Sequence, residues 1–260
     1  MKKAAIWLIT AAFLVIVGLA LFSVTMWQND WDFSALSTVE YVTNTYEIEE
    51  DFSEISILAD TVDVTLSRSD DGSCRIVCRE AQREVHTVSV IGDTLTIQVQ
   101  NKKTWHDYIG IATKSPRITL YLPQAGYNSL TSKTSTGDVA IHGLAFGTVD
   151  ISVSTGDIRL CDVSCKSLTT TGNTGDVSLE NVLAEGRISI ERSTGDVIFS
   201  SCDAAEIFVK TSTGDVFGSL RSEKVFVTTT STGDVWCPSS ASGGRCEIVT
   251  STGDIKISLE

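Results

Sequence analysis

The chain has 260 residues, 42% of them hydrophobic, enough to bury a sizeable core, and this excludes a wholly disordered protein. Its 20 basic and 33 acidic side chains give a net charge of −13, which repels nucleic acid and anionic lipid headgroups. Three prolines against 19 glycines suit a repetitive β architecture with glycine turns better than a proline-rich chain.

From Ala4 to Trp27 no residue is charged, and a helix of that length crosses a ~30 Å hydrocarbon core. Lys2 and Lys3 are the only charges before Asp30, so the positive-inside rule puts the N-terminus in the cytoplasm. The competing reading is a cleaved signal peptide, but the apolar run is long for one, and Phe22, Met26 and Trp27 interrupt the small-residue pair that cleavage needs. Residues 1–29 are therefore expected to be a cytoplasmic tip and transmembrane anchor. The protein is then a single-pass cell-membrane protein with its C-terminal domain extracellular. Without Lys2 and Lys3, 18 basic side chains face 33 acidic ones outside, a net charge whose simplest role is solvation.

Residues 30–45, polar with scattered aromatics, read as a juxtamembrane linker. Residues 46–123 alternate apolar and polar without a repeated mark, as in ISILADTVDVTL and RITLYLP. The turns Asp70-Asp71-Gly72 and Ile91-Gly92-Asp93 separate strands at hairpin distances. This stretch is expected to form irregular first coils and an N-terminal cap, which solenoids need because an open edge invites pairing.

In residues 124–260 the tripeptide T-G-D recurs with its glycine at Gly137, Gly156, Gly175, Gly195, Gly214, Gly233 and Gly253, at spacings of 19, 19, 20, 19, 19 and 20. A period this regular marks seven stacked solenoid coils. Two residues after each glycine stand Val139, Ile158, Val177, Val197, Val216, Val235 and Ile255, all β-branched. Four after it the column reads Ile141, Leu160, Leu179, Phe199, Gly218, Cys237 and Ile257, so this segment alternates as a strand does. A second inward column lies seven before, at Leu130, Val149, Leu168, Ile188, Ile207, Phe226 and Cys246. A third lies seven after, at Leu144, Val163, Val182 and Cys202. The columns predict about three short strands per coil, with T-G-D as the sharpest corner and the preceding threonines stacked as a ladder. Seven coils at ~4.8 Å make a pillar about 34 Å long. The chain stops one strand after the last T-G-D with no capping helix, so the last coil is expected to be an open end, available for end-to-end self-association or for a partner.

The STGDV repeats, DWDFSALST after the anchor, TLYLP before the first repeat, CDAAEI at Cys202 to Ile207 and GGRCEI at Gly243 to Ile248 carry a resemblance. Together they look like a bacterial adhesin-like family of β-strand-repeat proteins, a domain of unknown function (DUF4097). The likeness covers nearly all of the chain beyond the anchor. It implies an all-β, right-handed β-solenoid and supplies no catalytic residues.

The aspartates Asp138, Asp157, Asp176, Asp196, Asp215, Asp234 and Asp254 would stack along one edge, where like charges repel. Calcium between coils is one way to offset this, although one acid per coil is a poor ligand set. The preferred alternative is that each aspartate is held by backbone N–H groups and water at its own corner, which lowers its pKa. Cys202, Cys237 and Cys246 stand where other coils place apolar residues, and Cys74 and Cys78 are ~13 Å apart on one strand face, too far to bridge. These read as core residues, while Cys161 and Cys165 flank a corner and could pair. Trp105-His106-Asp107-Tyr108 is either an aromatic sugar-binding cluster or a packed cap loop. His86, His106 and His142 share no motif with a nucleophile and show no metal-ligand spacing. Coils this short leave no insertions to build an enzyme cleft.

The expectation is a non-catalytic, membrane-anchored cell-surface interaction module without a cofactor, meeting a protein or glycan partner. The alternative is the extracytoplasmic part of an envelope-stress or regulatory membrane assembly.

Overall fold

The computed structural model describes residues 2–31, 40–81, 84–101, 115–123 and 126–260. The helix and the strands belong to separate compact units.

Helix α1 runs Lys2–Gln28, and its stretch Ile6–Gln28, with a mean hydropathy of 2.5, is long and apolar enough to cross a membrane. Its hydroxyls turn inward: Thr10, Ser23 and Thr25 each donate to the carbonyl four residues earlier, at 3.0, 2.8 and 2.9 Å. This satisfies the hydroxyls within the helix itself, with no partner needed outside it.

Seven strands precede the T-G-D repeats: β1 Tyr41–Ile48, β2 Glu54–Leu58, β3 Asp63–Arg68, β4 Cys74–Ala81, β5 Glu84–Ile91, β6 Thr94–Asn101 and β7 Arg117–Leu122. The repeats contribute β8 Gly126–Thr136, β9 Val139–His142, β10 Ala145–Thr155, β11 Ile158–Cys161, β12 Ser164–Thr174, β13 Val177–Glu180 and β14 Leu183–Thr194. They continue through β15 Val197–Lys210, β16 Val216–Leu220, β17 Lys224–Thr229, β18 Val235–Trp236, β19 Gly244–Val249 and β20 Ile255–Leu259.

The coils have two strands rather than three, fused into one in β15, and the longer strand is kinked. In β10 the inward residues Phe146 and Val149 lie three apart where strict alternation requires two, and the pairing register skips Gly147. In the first four coils the second corner falls six residues after the T-G-D glycine, at Gly143, Asp162, Asn181 and Ser201, all with φ between 51° and 65°. It leaves Leu144, Val163, Val182 and Cys202 buried at the turn instead of on a strand of their own.

The coils stack in register as a β-solenoid. One ladder of strands runs β5–β6–β2–β8–β10–β12–β14–β15–β19–β17 and the other β1–β4–β7–β3–β9–β11–β13–β15–β16–β20–β18. All pairings are parallel except β5 with β6, β4 with β7 and β1 with β4, which fold the N-terminal end over antiparallel. Strands β2 and β3 form a coil of the same stack, with Thr61-Val62-Asp63 at the place of T-G-D, because Thr61 bridges Thr136. The turn at Asp70-Asp71-Gly72 does not make a hairpin, since β7 lies between β3 and β4. Ile91-Gly92-Asp93 does close one, joining β5 to β6. Strand β1 begins at Tyr41, inside the stretch expected to be linker.

At the other end the coils leave sequence order. Strand β20 pairs with β16, and β18 with β20; likewise β19 pairs with β15, and β17 with β19. The Gly253 coil therefore sits between the Gly214 and Gly233 coils. The coil expected to be the open end is interior, and the Gly233 coil is terminal instead. Core burial follows this order: six of the seven residues two after glycine are fully buried, while Val235 is 42% exposed.

The T-G-D glycines are required by close approach as well as by conformation. Their φ values run from 127° to 155°, and a Cβ on Gly175 would lie 2.1 Å from the carbonyl oxygen of Gly156 in the coil below.

Candidate functional site

Three surface features arise from the stack: an aspartate edge, an aromatic spot beside it, and a groove on the kinked side.

The seven T-G-D aspartates come together along one edge, and Asp63 adds an eighth. Every carboxylate of the row except that of Asp234 accepts an amide from the next coil, not from its own corner as expected. The amide of Asp157 donates to Asp138 Oδ1 at 2.9 Å, and the same bond runs on through Asp176, Asp196 and Asp215. It then passes to Asp254 and ends at Asp234. An in-register parallel stack makes this bond natural, because the next coil's amide lies directly over the carboxylate, whereas the corner's own amides serve the ladder. The outer oxygens are partly neutralised: Arg159 holds Asp157 at 2.6 Å and Asp138 at 3.4 Å, and Lys256 holds Asp254 at 2.8 Å. The hydrogen bond from Lys256, aided by the Asp234 amide, keeps the Asp254 carboxyl below its usual range. Among the described residues no three His, Cys, Asp or Glu side chains gather as a metal-binding group.

Beside this edge Lys256 Nζ lies 4.6 Å over the ring of Trp236, which is half exposed, with Phe217 on the neighbouring coil. The indole face is covered by the ammonium, a cation–π pair.

The groove has a volume of about 1080 Å³, and every T-G-D coil contributes to it. It exists because the long strands kink: Tyr127, Phe146, Cys165, Ala184 and Ala204 form its floor, and they shrink along the stack. At the wide-side-chain end Phe52, Tyr127 and Phe146 stack with ring centroids 5.7 and 5.9 Å apart. At the other end Lys224, almost fully buried, donates to Asp203 Oδ1 at 2.6 Å. Burial raises the Asp203 carboxyl, but the hydrogen bonds from Lys224 and Ser222 outweigh it and hold it below its usual range. Hydrogen bonds from Ser242 and Ser240 do the same for Glu223. Sequence reasoning missed this floor. Its signal is a column ten residues before the T-G-D glycine, disguised because aromatic, thiol and methyl side chains share it and because the Gly195 coil is one residue longer.

The seven cysteines are all free thiols, including Cys161 and Cys165. Burial pushes Cys78 and Cys246 up to about 12 and Cys74 and Cys165 to about 11. His86 is buried, with Nδ1 2.7 Å from Glu80, and His142 is exposed. Trp105, His106, Asp107 and Tyr108 lie outside the described residues.

Residues 52–260 match the family described as Toastrack DUF4097. The chain belongs to this family. A solved structure with the Toastrack chain's fold is a "putative adhesin" from Bacteroides fragilis, at TM-score 0.55 and 18% identity, covering 85% of this chain and 97% of the other. A "putative lipid binding protein" from Parabacteroides distasonis matches at TM-score 0.46 and 14% identity over 85% and 98%. A "putative cell adhesion protein" from Clostridium sporogenes matches at 0.38 and 10% over 85% and 100%. No curated protein matches.

Proposed function

We propose that this Toastrack chain is a non-catalytic cell-surface interaction module, held to the membrane by α1 with its solenoid outside the cell, and that it takes a protein or glycan partner along the groove. The observation that carries this is the continuity of the groove across every T-G-D coil, from the aromatic stack at Tyr127 to the Lys224–Asp203 pair. A surface that long, stacking rings at one end and offering fixed charge at the other, suits an extended ligand. Its acids Asp203 and Glu223 are held ionised, which serves binding rather than proton donation. The name of the Bacteroides fragilis protein points the same way.

The test uses cells displaying the full chain, with a glycan array and with cross-linked envelope membranes. Leu183→Arg and Ala205→Arg place bulk in the groove at exposed positions and leave the core alone. Binding abolished by both supports the reading. Binding indifferent to both overturns the groove, turnover of any glycan overturns the non-catalytic reading, and recovery of signalling membrane proteins alone favours the regulatory assembly.

A further inference from the structure

We infer that the Gly233 coil is a two-fold docking surface for a second copy of this chain, built on antiparallel pairing of β17 with its symmetry mate.

The displaced coil order creates the surface. In every other T-G-D coil, the amides of the glycine and of the residue two later donate to the next coil, as Gly253 does to Thr232 and Ile255 to Asp234, both at 2.9 Å. The Gly233 coil is last in the stack, and neither Gly233 nor Val235 has such an acceptor among the described residues. Strand β17 is likewise bonded along one edge only, to β19. Inward side chains that other coils bury are open here, Val235 being 42% exposed and Phe226 only partly buried, and the outward-facing Val225 and Val227 are apolar and 37% and 42% exposed.

Edges that must stay single carry charge, proline or a bulge. This one has none along its strands. Lys224 is buried against Asp203, and among the twenty residues Val225–Gly244 Asp234 is the only charge, in a chain of net charge −13. Two copies of so acidic a protein repel almost everywhere, and this end is where they can meet at least electrostatic cost.

The symmetry follows from the opposite end. There β1 and β5 close the stack running antiparallel to their neighbours, so a head-to-tail copy finds no T-G-D corner to receive the amides of Gly233 and Val235. A two-fold contact needs only the same edge twice, and antiparallel β17 pairing supplies it. The assembly is a closed dimer, not a filament. This inference is independent of the groove.

The test is the mass of the full chain in detergent micelles across micromolar concentrations. A dimer is expected, and Val227→Lys, which puts a charge on the exposed edge, should weaken it at least about tenfold. Ile91→Lys, at a 65% exposed site on β5, should not. A monomer throughout, or a dimer indifferent to Val227→Lys, overturns the proposal; the latter points to the helices. Should Val227→Lys fail to fold, Val227→Cys replaces it: a covalent dimer under mild oxidation that Ile91→Cys does not give supports the two-fold edge, and its absence sinks it.

Discussion

The backbone amide of Asp234 donates to the carboxylate of Asp254 at 2.9 Å, and Asp254 in turn donates to Asp215 at 2.7 Å. The aspartate chain thus visits the coils in the order 215, 254, 234, an account of the C-terminal stack independent of the strand pairings. Coils adjacent in this order lie ~4.8 Å apart, and coils one removed lie ~9.6 Å apart.

Engineered disulfides read that order directly. Phe217 and Lys256 are register partners, and Trp236 is the next step out. The pair Phe217→Cys with Lys256→Cys should close under oxidation, because its Cα separation suits a disulfide. Phe217→Cys with Trp236→Cys should not. A stack in sequence order would reverse the two results on a non-reducing gel.

Glycine at the T-G-D corner should be irreplaceable where other turn glycines are not. Gly175→Ala meets both a φ of 127° and a carbonyl oxygen 2.1 Å away, and should cost upwards of about 3 kcal/mol or prevent folding. Gly92→Ala, with φ 64° and open space around it, should cost about 1 kcal/mol. Urea midpoints of the two variants give the comparison.

Arg192 makes the opposite kind of prediction. It is 4% exposed, fills the space left by Gly172, and donates from Nη1 to the Val153 carbonyl at 3.1 Å, while Nε and Nη2 find no partner. Burial pulls its pKa down, against the pull of Asp157 and Asp176. Replacing a poorly paired buried charge by an apolar side chain of similar length is often neutral or stabilising by about 1–4 kcal/mol. Arg192→Met should therefore keep or raise the melting temperature; a fall of several degrees would show that the guanidinium holds the stack together.

Acid should loosen the groove's charged end only below about pH 4. The folded-state pKa of Asp203 is depressed, so its contribution is complete above the unfolded value, near 3.9, and is lost as pH falls through the folded value. Asp254 follows the same sign. Between pH 6 and about pH 4 stability should not lose this contribution, and below that range it should. Asp203→Asn should flatten that acid limb in unfolding curves taken at successive pH values.

Much of this was legible in the sequence because a β-branched column two residues after seven glycines has one reading: an inward strand position repeated per coil. What periodicity could not give was neighbour order. Val216 stacks as well under Ile255 as under Val235, since parallel in-register coils of one motif are interchangeable at the ladder. The clue was lateral: after Val235-Trp236 the chain turns to Cys237-Pro238-Ser239-Ser240, which cannot alternate as Ile255-Lys256-Ile257-Ser258-Leu259 does, and so makes the shorter, terminal strand. The groove was hidden for another reason. Its floor is concave because Cys165, Ala184 and Ala204 are small where Phe146 and Tyr127 are large, a contrast across coils rather than along one.

The coil that enters out of turn also changes how the stack can assemble. In an ordinary solenoid each coil has its template ready when its own residues come to fold, and order spreads like a zip closing tooth by tooth. Here the Gly233 coil has nothing to lie on until the Gly253 coil has slid beneath it. The two must lock as a pair, the first waiting loosely for the second, so that end of the pillar should open and close as one latch while the middle coils remain shut.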